Sequence, residues 1–92
     1  MDIPKLYETE DTILEDKVIY QKWELPHVGF YWLISELDPD KQLAFGYANL
    51  NDDQMAEWGY ISIEELKENG ARLVEEWEPK RFCEIELGWR YD

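Results

Sequence analysis

The sequence predicts an α+β domain: a twisted, mainly antiparallel sheet of four to five strands with one short helix packed on one face. Three observations predict it. Runs rich in β-branched and aromatic residues follow one another with brief turn signals between them. Only residues 62–70 carry helix start and stop signals at helical spacing. The 92 residues, 45% hydrophobic and 15% aromatic, suit one domain with a modest core better than a disordered chain. The expected organisation is a single domain over 1–92. It comprises an N-terminal arm (1–16), a sheet core (17–77) with the helix near 62–69, and a packed C-terminal segment (78–92).

In the arm, MDIPKLYETEDTILED, periodicity is weak, and Ile3, Leu6 and Tyr7 are placed to pin it to the core. KVIYQKWEL (17–25) reads as the first strand, ended by Pro26, with Ile19, Trp23 and Leu25 on one face and Val18 and Tyr20 on the other. VGFYWLISEL (28–37) reads as a central strand, apolar on both faces. DPDK (38–41) is a turn, with Asp first and Pro second as a type I turn prefers, and QLAFGYANL (42–50) returns as the third strand. If Pro39 and Asp40 form a two-residue loop, Trp32 lies opposite Tyr47, Ile34 opposite Phe45 and Glu36 opposite Leu43. The other face then sets Tyr31 against Ala48 and Leu33 against Gly46, and its small residues leave room for a helix.

EWGYISI (57–63) starts as a fourth strand and runs into that helix. Ser62, with Glu65 three residues on, is a capping-box signature, and Asn69-Gly70 is the stop. ARLVEEW (71–77) reads as a fifth strand ended by Pro79. PKRFCEIELGWRYD (79–92) keeps Phe82, Ile85, Leu87, Trp89 and Tyr91, too many large apolar residues for a free tail.

The formal net charge of −13 argues against direct contact with nucleic acid or an anionic membrane, both of which need a positive footprint. It leaves three readings: solubility, attraction to a basic protein surface, and imitation of nucleic acid in another protein's groove. No apolar run nears the roughly 18 residues of a membrane span. The opening residues lack the basic-then-apolar pattern of a secretory signal, and the lone cysteine, Cys83, permits no internal disulfide. A cytoplasmic setting is the expectation.

Glu36 and Asp38, two apart on a strand, point to one face and could hold a divalent cation or share a proton; Glu57 could be a third ligand. The plainer reading makes Asp38 a turn cap and Glu36 a solvated strand end or a partner for a Lys or Arg. Glu8, Glu10 and Asp11 cluster in the arm, with Thr9 between them suited to capping a turn. His27 is the only histidine, so a zinc site of familiar type has too few ligands. Cys83 follows Arg81-Phe82 and could be activated by positive neighbours, or simply be half-buried. No phosphate loop, catalytic triad or cysteine pair is present, and no cofactor is expected. Five tryptophans and six tyrosines exceed what so small a core covers. Trp32, Tyr47, Trp58 and Tyr60 are therefore the candidates for partner binding.

An ordered set of segments runs through the chain: Leu6-Tyr7-Glu8-Thr9-Glu10; Tyr31-Trp32 with Glu36, Asp38 and Pro39; Phe45-Gly46; Gly59 through Leu66; and Glu75-Glu76-Trp77 before Phe82. This set resembles the small bacterial and archaeal family called domain of unknown function 2958. The chain departs from that pattern in the order Tyr31-Trp32 and in Glu76, which replaces a basic residue. The resemblance implies no assigned activity, and it implies a setting on plasmids and other mobile elements. The expected function is thus a non-catalytic accessory factor that binds another protein, one with a basic surface. No direct nucleic acid or membrane contact is expected, and the state is monomer or weak homodimer. A small metal-dependent module using Glu36, Asp38 and Glu57, and a nucleic-acid mimic, are the alternatives.

Overall fold

In the computed structural model, which describes residues 3–87, the elements run β1 (Val18–Ile19), β2 (Gln21–Leu25), β3 (Phe30–Asp38), β4 (Leu43–Leu50), β5 (Glu57–Ser62), α1 (Ile63–Glu68), β6 (Arg72–Leu73) and β7 (Lys80–Arg81). Five strands form one antiparallel sheet in the order β5-β4-β3-β2-β6, and β1 pairs separately with β7. This is the α+β architecture expected from the sequence. Among the described residues no helix is long and apolar enough to cross a membrane. Trp89 and Tyr91, expected to pack with the C-terminal segment, lie outside the described residues.

Local signals explain α1. The Ser62 hydroxyl accepts the Glu65 N–H at 3.2 Å. At the other end Gly70 takes a left-handed φ of 84°, which glycine adopts without steric cost. The Ala71 N–H then bonds Leu66 C=O and the Gly70 N–H bonds Lys67 C=O, a Schellman stop. So short a helix is not stable alone. Ile63 and Leu66 hold it by packing on Trp23, Leu25, Ile34, Ala44, Ile61 and Ala71. Burying each of those two side chains stabilises by about 1.5–3 kcal/mol. The helix lies on the small-residue side of β4, as expected, but the β3 residues on that face are Trp32 and Ile34 rather than the expected Tyr31 and Leu33.

The opposite face holds a second cluster, in which Phe82, Ile85 and Leu87 cover Ile19, Leu33 and Tyr47. The N-terminal arm covers the rest of this arm face. Its residues 5–12 make three successive turn bonds, Glu8 N–H to Lys5 C=O, Glu10 N–H to Tyr7 C=O and Thr12 N–H to Thr9 C=O. The Leu37 N–H bonds Pro4 C=O at 2.9 Å, tying the arm to β3.

Three local expectations are corrected. The run 17–25 is two strands, because β1 leaves the sheet to take β7 as its partner. Ile19 therefore joins the arm-face cluster while Trp23 and Leu25 face the helix. The strand expected over 71–77 shortens to β6: Val74 N–H still bonds Lys22 C=O, then the chain turns and the Trp77 indole N–H donates to Ile19 C=O at 3.0 Å. Third, the β3–β4 loop has four residues, 39–42, with Gln42 at φ 53°. Asp38 pairs with Leu43, Trp32 with Ala48 and Leu33 with Tyr47, so Trp32 and Tyr47 lie on opposite faces.

Candidate functional site

The register of β3 against β4 slips by one residue between Ile34 and Glu36, leaving Ser35 as the extra residue of a β-bulge. Ser35 is 1% exposed and its hydroxyl has no hydrogen-bond partner among the described residues. Gly46, opposite Ile34, permits the distortion. A Cβ there would stand 1.9 Å from the Leu33 carbonyl oxygen, inside any allowed contact. The bulge reverses the alternation of side chains. Simple alternation places Glu36 with Ile34 on the helix face; instead Glu36 lies opposite Phe45, on the arm face.

There the arm closes over it. Glu36 is 3% exposed. Its Oε1 accepts the Tyr7 N–H at 2.8 Å, and its Oε2 accepts the Thr9 N–H at 3.1 Å and the Thr9 hydroxyl. Tyr7 takes φ 72°, so the backbone around it forms a concave amide nest around the carboxylate. Lys17, also buried, donates from Nζ to Thr9 C=O at 2.6 Å and to Thr9 Oγ1 at 2.7 Å, and lies 3.6 Å from Glu36 Oε2. Thr9 thus links ammonium to carboxylate, receiving from one and donating to the other. Burial pushes the Glu36 carboxyl up. The Thr9 hydroxyl, the Tyr7 and Thr9 amides and the Lys17 charge outweigh it and hold the group below its ordinary value.

Beside this network opens a cleft of about 390 Å³, lined by Tyr7, Ile13, Leu14, Phe45 and Tyr60, with Glu10, Lys17 and Glu36 as its charged members. Tyr7 and Tyr60 are 60% and 57% exposed, and their hydroxyls meet at 2.9 Å across the mouth. The bond to the Tyr7 hydroxyl, then desolvation, then the Tyr7, Glu36 and Glu10 charges raise the Tyr60 phenol above its ordinary value.

The residues singled out from the sequence are distributed unevenly around this cleft. Tyr60 lines it. Trp58, half-buried, stacks on Phe45 at 5.8 Å and meets Phe82 edge-on at 4.9 Å. Tyr47, 4% exposed, belongs to the arm-face cluster and offers no surface to a partner. Trp32 packs from the other face against the helix cluster. Asp38 caps the turn, accepting the Asp40 and Lys41 N–H groups. Glu57 is exposed and begins β5 opposite Ala48, three positions along β4 from the partner of Glu36. Glu36, Asp38 and Glu57 are not brought together, and no group of three or more His, Cys, Asp or Glu side chains suited to a metal occurs among the described residues.

Lys17 and the role of Thr9 were not legible from composition or spacing. Their signal lies in the ordered segments: the Tyr7–Thr9 opening and Glu36, 27 to 29 residues apart, are two halves of one hydrogen-bonded unit. A family model described as "Protein of unknown function (DUF2958)" matches residues 8–76. No curated protein and no solved structure matches the chain.

Proposed function

Because the chain belongs to the DUF2958 family, which carries no assigned activity, its function must be read from its own surface, and we propose that it is a non-catalytic binding protein whose arm–sheet cleft receives a segment of another protein. One observation carries this reading. Of the eight large apolar side chains exposed among the described residues, four (Tyr7, Ile13, Leu14 and Tyr60) line the same cleft. Scattered exposed apolar residues need no explanation, but a gathered set with aromatic walls is the composition of a docking site. The floor supports it, because the Lys17–Thr9–Glu36 network ties the arm wall to β3 and pre-organises the cleft before a partner arrives.

The net charge of −13 favours a partner with a basic surface and would speed its approach. The family resemblance suggests an accessory role on a mobile element, so the native host is where the partner should be sought. The test is affinity purification from that host followed by reconstitution from pure components. Tyr60→Ala and Ile13→Asp should each weaken the reconstituted complex about tenfold or more. Leu50→Ser, on an exposed side chain away from the cleft, should leave it unchanged. Cleft variants that stay folded and bind as tightly as the parent protein would sink the reading.

A further inference from the structure

Resting on that docking reading, we infer that the cleft selects an arginine side chain with an aliphatic neighbour, presented by the partner polypeptide. The aromatic walls form a corner rather than a stack. The Tyr7 and Tyr60 rings meet at 6.4 Å and 63°, and the Phe45 and Tyr60 rings at 5.7 Å and 68°. These contacts are edge-on and leave much of the Tyr7 and Tyr60 rings uncovered, at 60% and 57% exposure, so that their π-surfaces are open to a cation. The corner already accepts one: the Lys17 ammonium lies 5.7 Å from the Phe45 ring centre.

The charges agree. Lys17 is the single basic residue of the lining, and its ammonium is committed to Thr9 and Glu36 beneath the surface. Glu10 lines the cleft and makes no ion pair among the described residues. Glu10 and Glu36 against the one Lys17 leave the charged lining with an excess of one negative charge. Arginine fits this set better than lysine. Its planar guanidinium stacks on an aromatic face while its fork of donors reaches a carboxylate, and it gives up hydration more readily. Ile13 and Leu14 belong to the same lining and would provide the apolar seat for a neighbouring side chain.

The probe is a fluorescein-labelled peptide, GSLRLRSG, titrated into the full chain and followed by polarisation and by amide shifts. Two matched peptides carry Lys or Gln at the Arg positions. The Arg peptide should bind, perturbing the arm and β5. The Gln peptide should bind about tenfold more weakly or worse, and the Lys peptide should fall between. Glu10→Gln should weaken the Arg peptide roughly threefold to fivefold and flatten its salt dependence. Tyr60→Ala should weaken it about tenfold.

Equal binding of the Arg and Gln peptides would overturn cation selection while leaving an apolar docking cleft in place. Complete failure of the Arg peptide, or shifts mapping to the helix face, would also overturn it. Spermidine displacing the Arg peptide at comparable concentration would overturn the assignment to a polypeptide, since a free cation would then serve as well. The docking proposal stands or falls separately, on the reconstituted complex.

Discussion

Glu36 accepts three hydrogen bonds from the arm and faces an ammonium 3.6 Å away, which is what a carboxylate 3% exposed requires if it is to stay charged. The arm in turn depends on the carboxylate, since two of its amides and the Thr9 hydroxyl donate inward to Glu36 and to no other acceptor among the described residues. This reciprocity predicts a pH dependence. The folded-state pKa of Glu36 lies below its ordinary 4.5, so the folded state gains from the carboxylate form above that value and loses the gain as pH falls through the folded pKa. Urea midpoints taken from neutral pH down to pH 3 should therefore fall on the acid side. Glu36→Gln should be less stable at neutral pH by about 1–3 kcal/mol, because a charge-assisted acceptor is lost, and should show a shallower acid limb. An acid limb as steep as that of the parent protein would mean that other carboxylates dominate. Glu84 is the comparison: the Arg81 N–H lowers its pKa, but its side chain is exposed and solvent-screened, so Glu84→Gln should leave the limb nearly unchanged.

At the scale of elements, one bulge decides which face of β3 carries the site. Ser35 occupies it with a hydroxyl that has no hydrogen-bond partner among the described residues, and Gly46 makes it possible by having no side chain to place against Leu33 C=O. Gly46→Ala forces the two strands apart or removes the bulge. The expected cost is about 3 kcal/mol or more, toward the upper end for overpacked interiors. The amide resonances of Tyr7 and Thr9 should shift with it, because Glu36 moves with the bulge. A folded Gly46→Ala variant whose arm resonances stay in place would show that the bulge does not set the position of Glu36. Elsewhere the elements follow local rules: Ser62 opens α1, Gly70 closes it, and Asp38 caps the hairpin turn.

Across the whole molecule, the excess of negative charge meets few internal cations. The exposed ion pairs of Arg72 with Glu24 and of Arg81 with Asp16 and Glu84 contribute little each. Self-repulsion at a net charge of −13 therefore lowers the stability of the fold at low ionic strength. Raising sodium chloride from about 10 mM to 150 mM shortens the screening length from about 30 Å to 8 Å, and the melting temperature should rise. The rise should be about 4–8 °C for each kcal/mol of repulsion removed in a domain of this size. A melting temperature that fell with salt would point to net attraction among the surface charges instead. Charge on this scale also frames the docking proposal: it draws basic partners, while the aromatic cleft determines where they seat.

The sequence was sufficient for whatever nearest neighbours along the chain decide. The antiparallel sheet, the helix between Ser62 and Gly70, the turn at residues 38–41 and family membership all rest on local propensity, capping chemistry and the order of short segments. Register and facing came only with the fold. A bulge arises from the fit of two strands across a sheet, and nothing within residues 28–38 announces that Ser35 drops out of the ladder. That single slip moves Glu36 to the arm face and also parts Trp32 from Tyr47, because a loop longer by two residues would by itself keep them on one face. Likewise β1 deserts the sheet for β7, whose residues Lys80 and Arg81 pair with Ile19 and Val18, and this takes Ile19 from the face expected for it. The buried Lys17–Thr9–Glu36 unit and the cleft beside it bring together the arm, β3, β4 and β5. Their assembly is a matter of tertiary packing, because burying those charges is tolerable only when every partner has arrived.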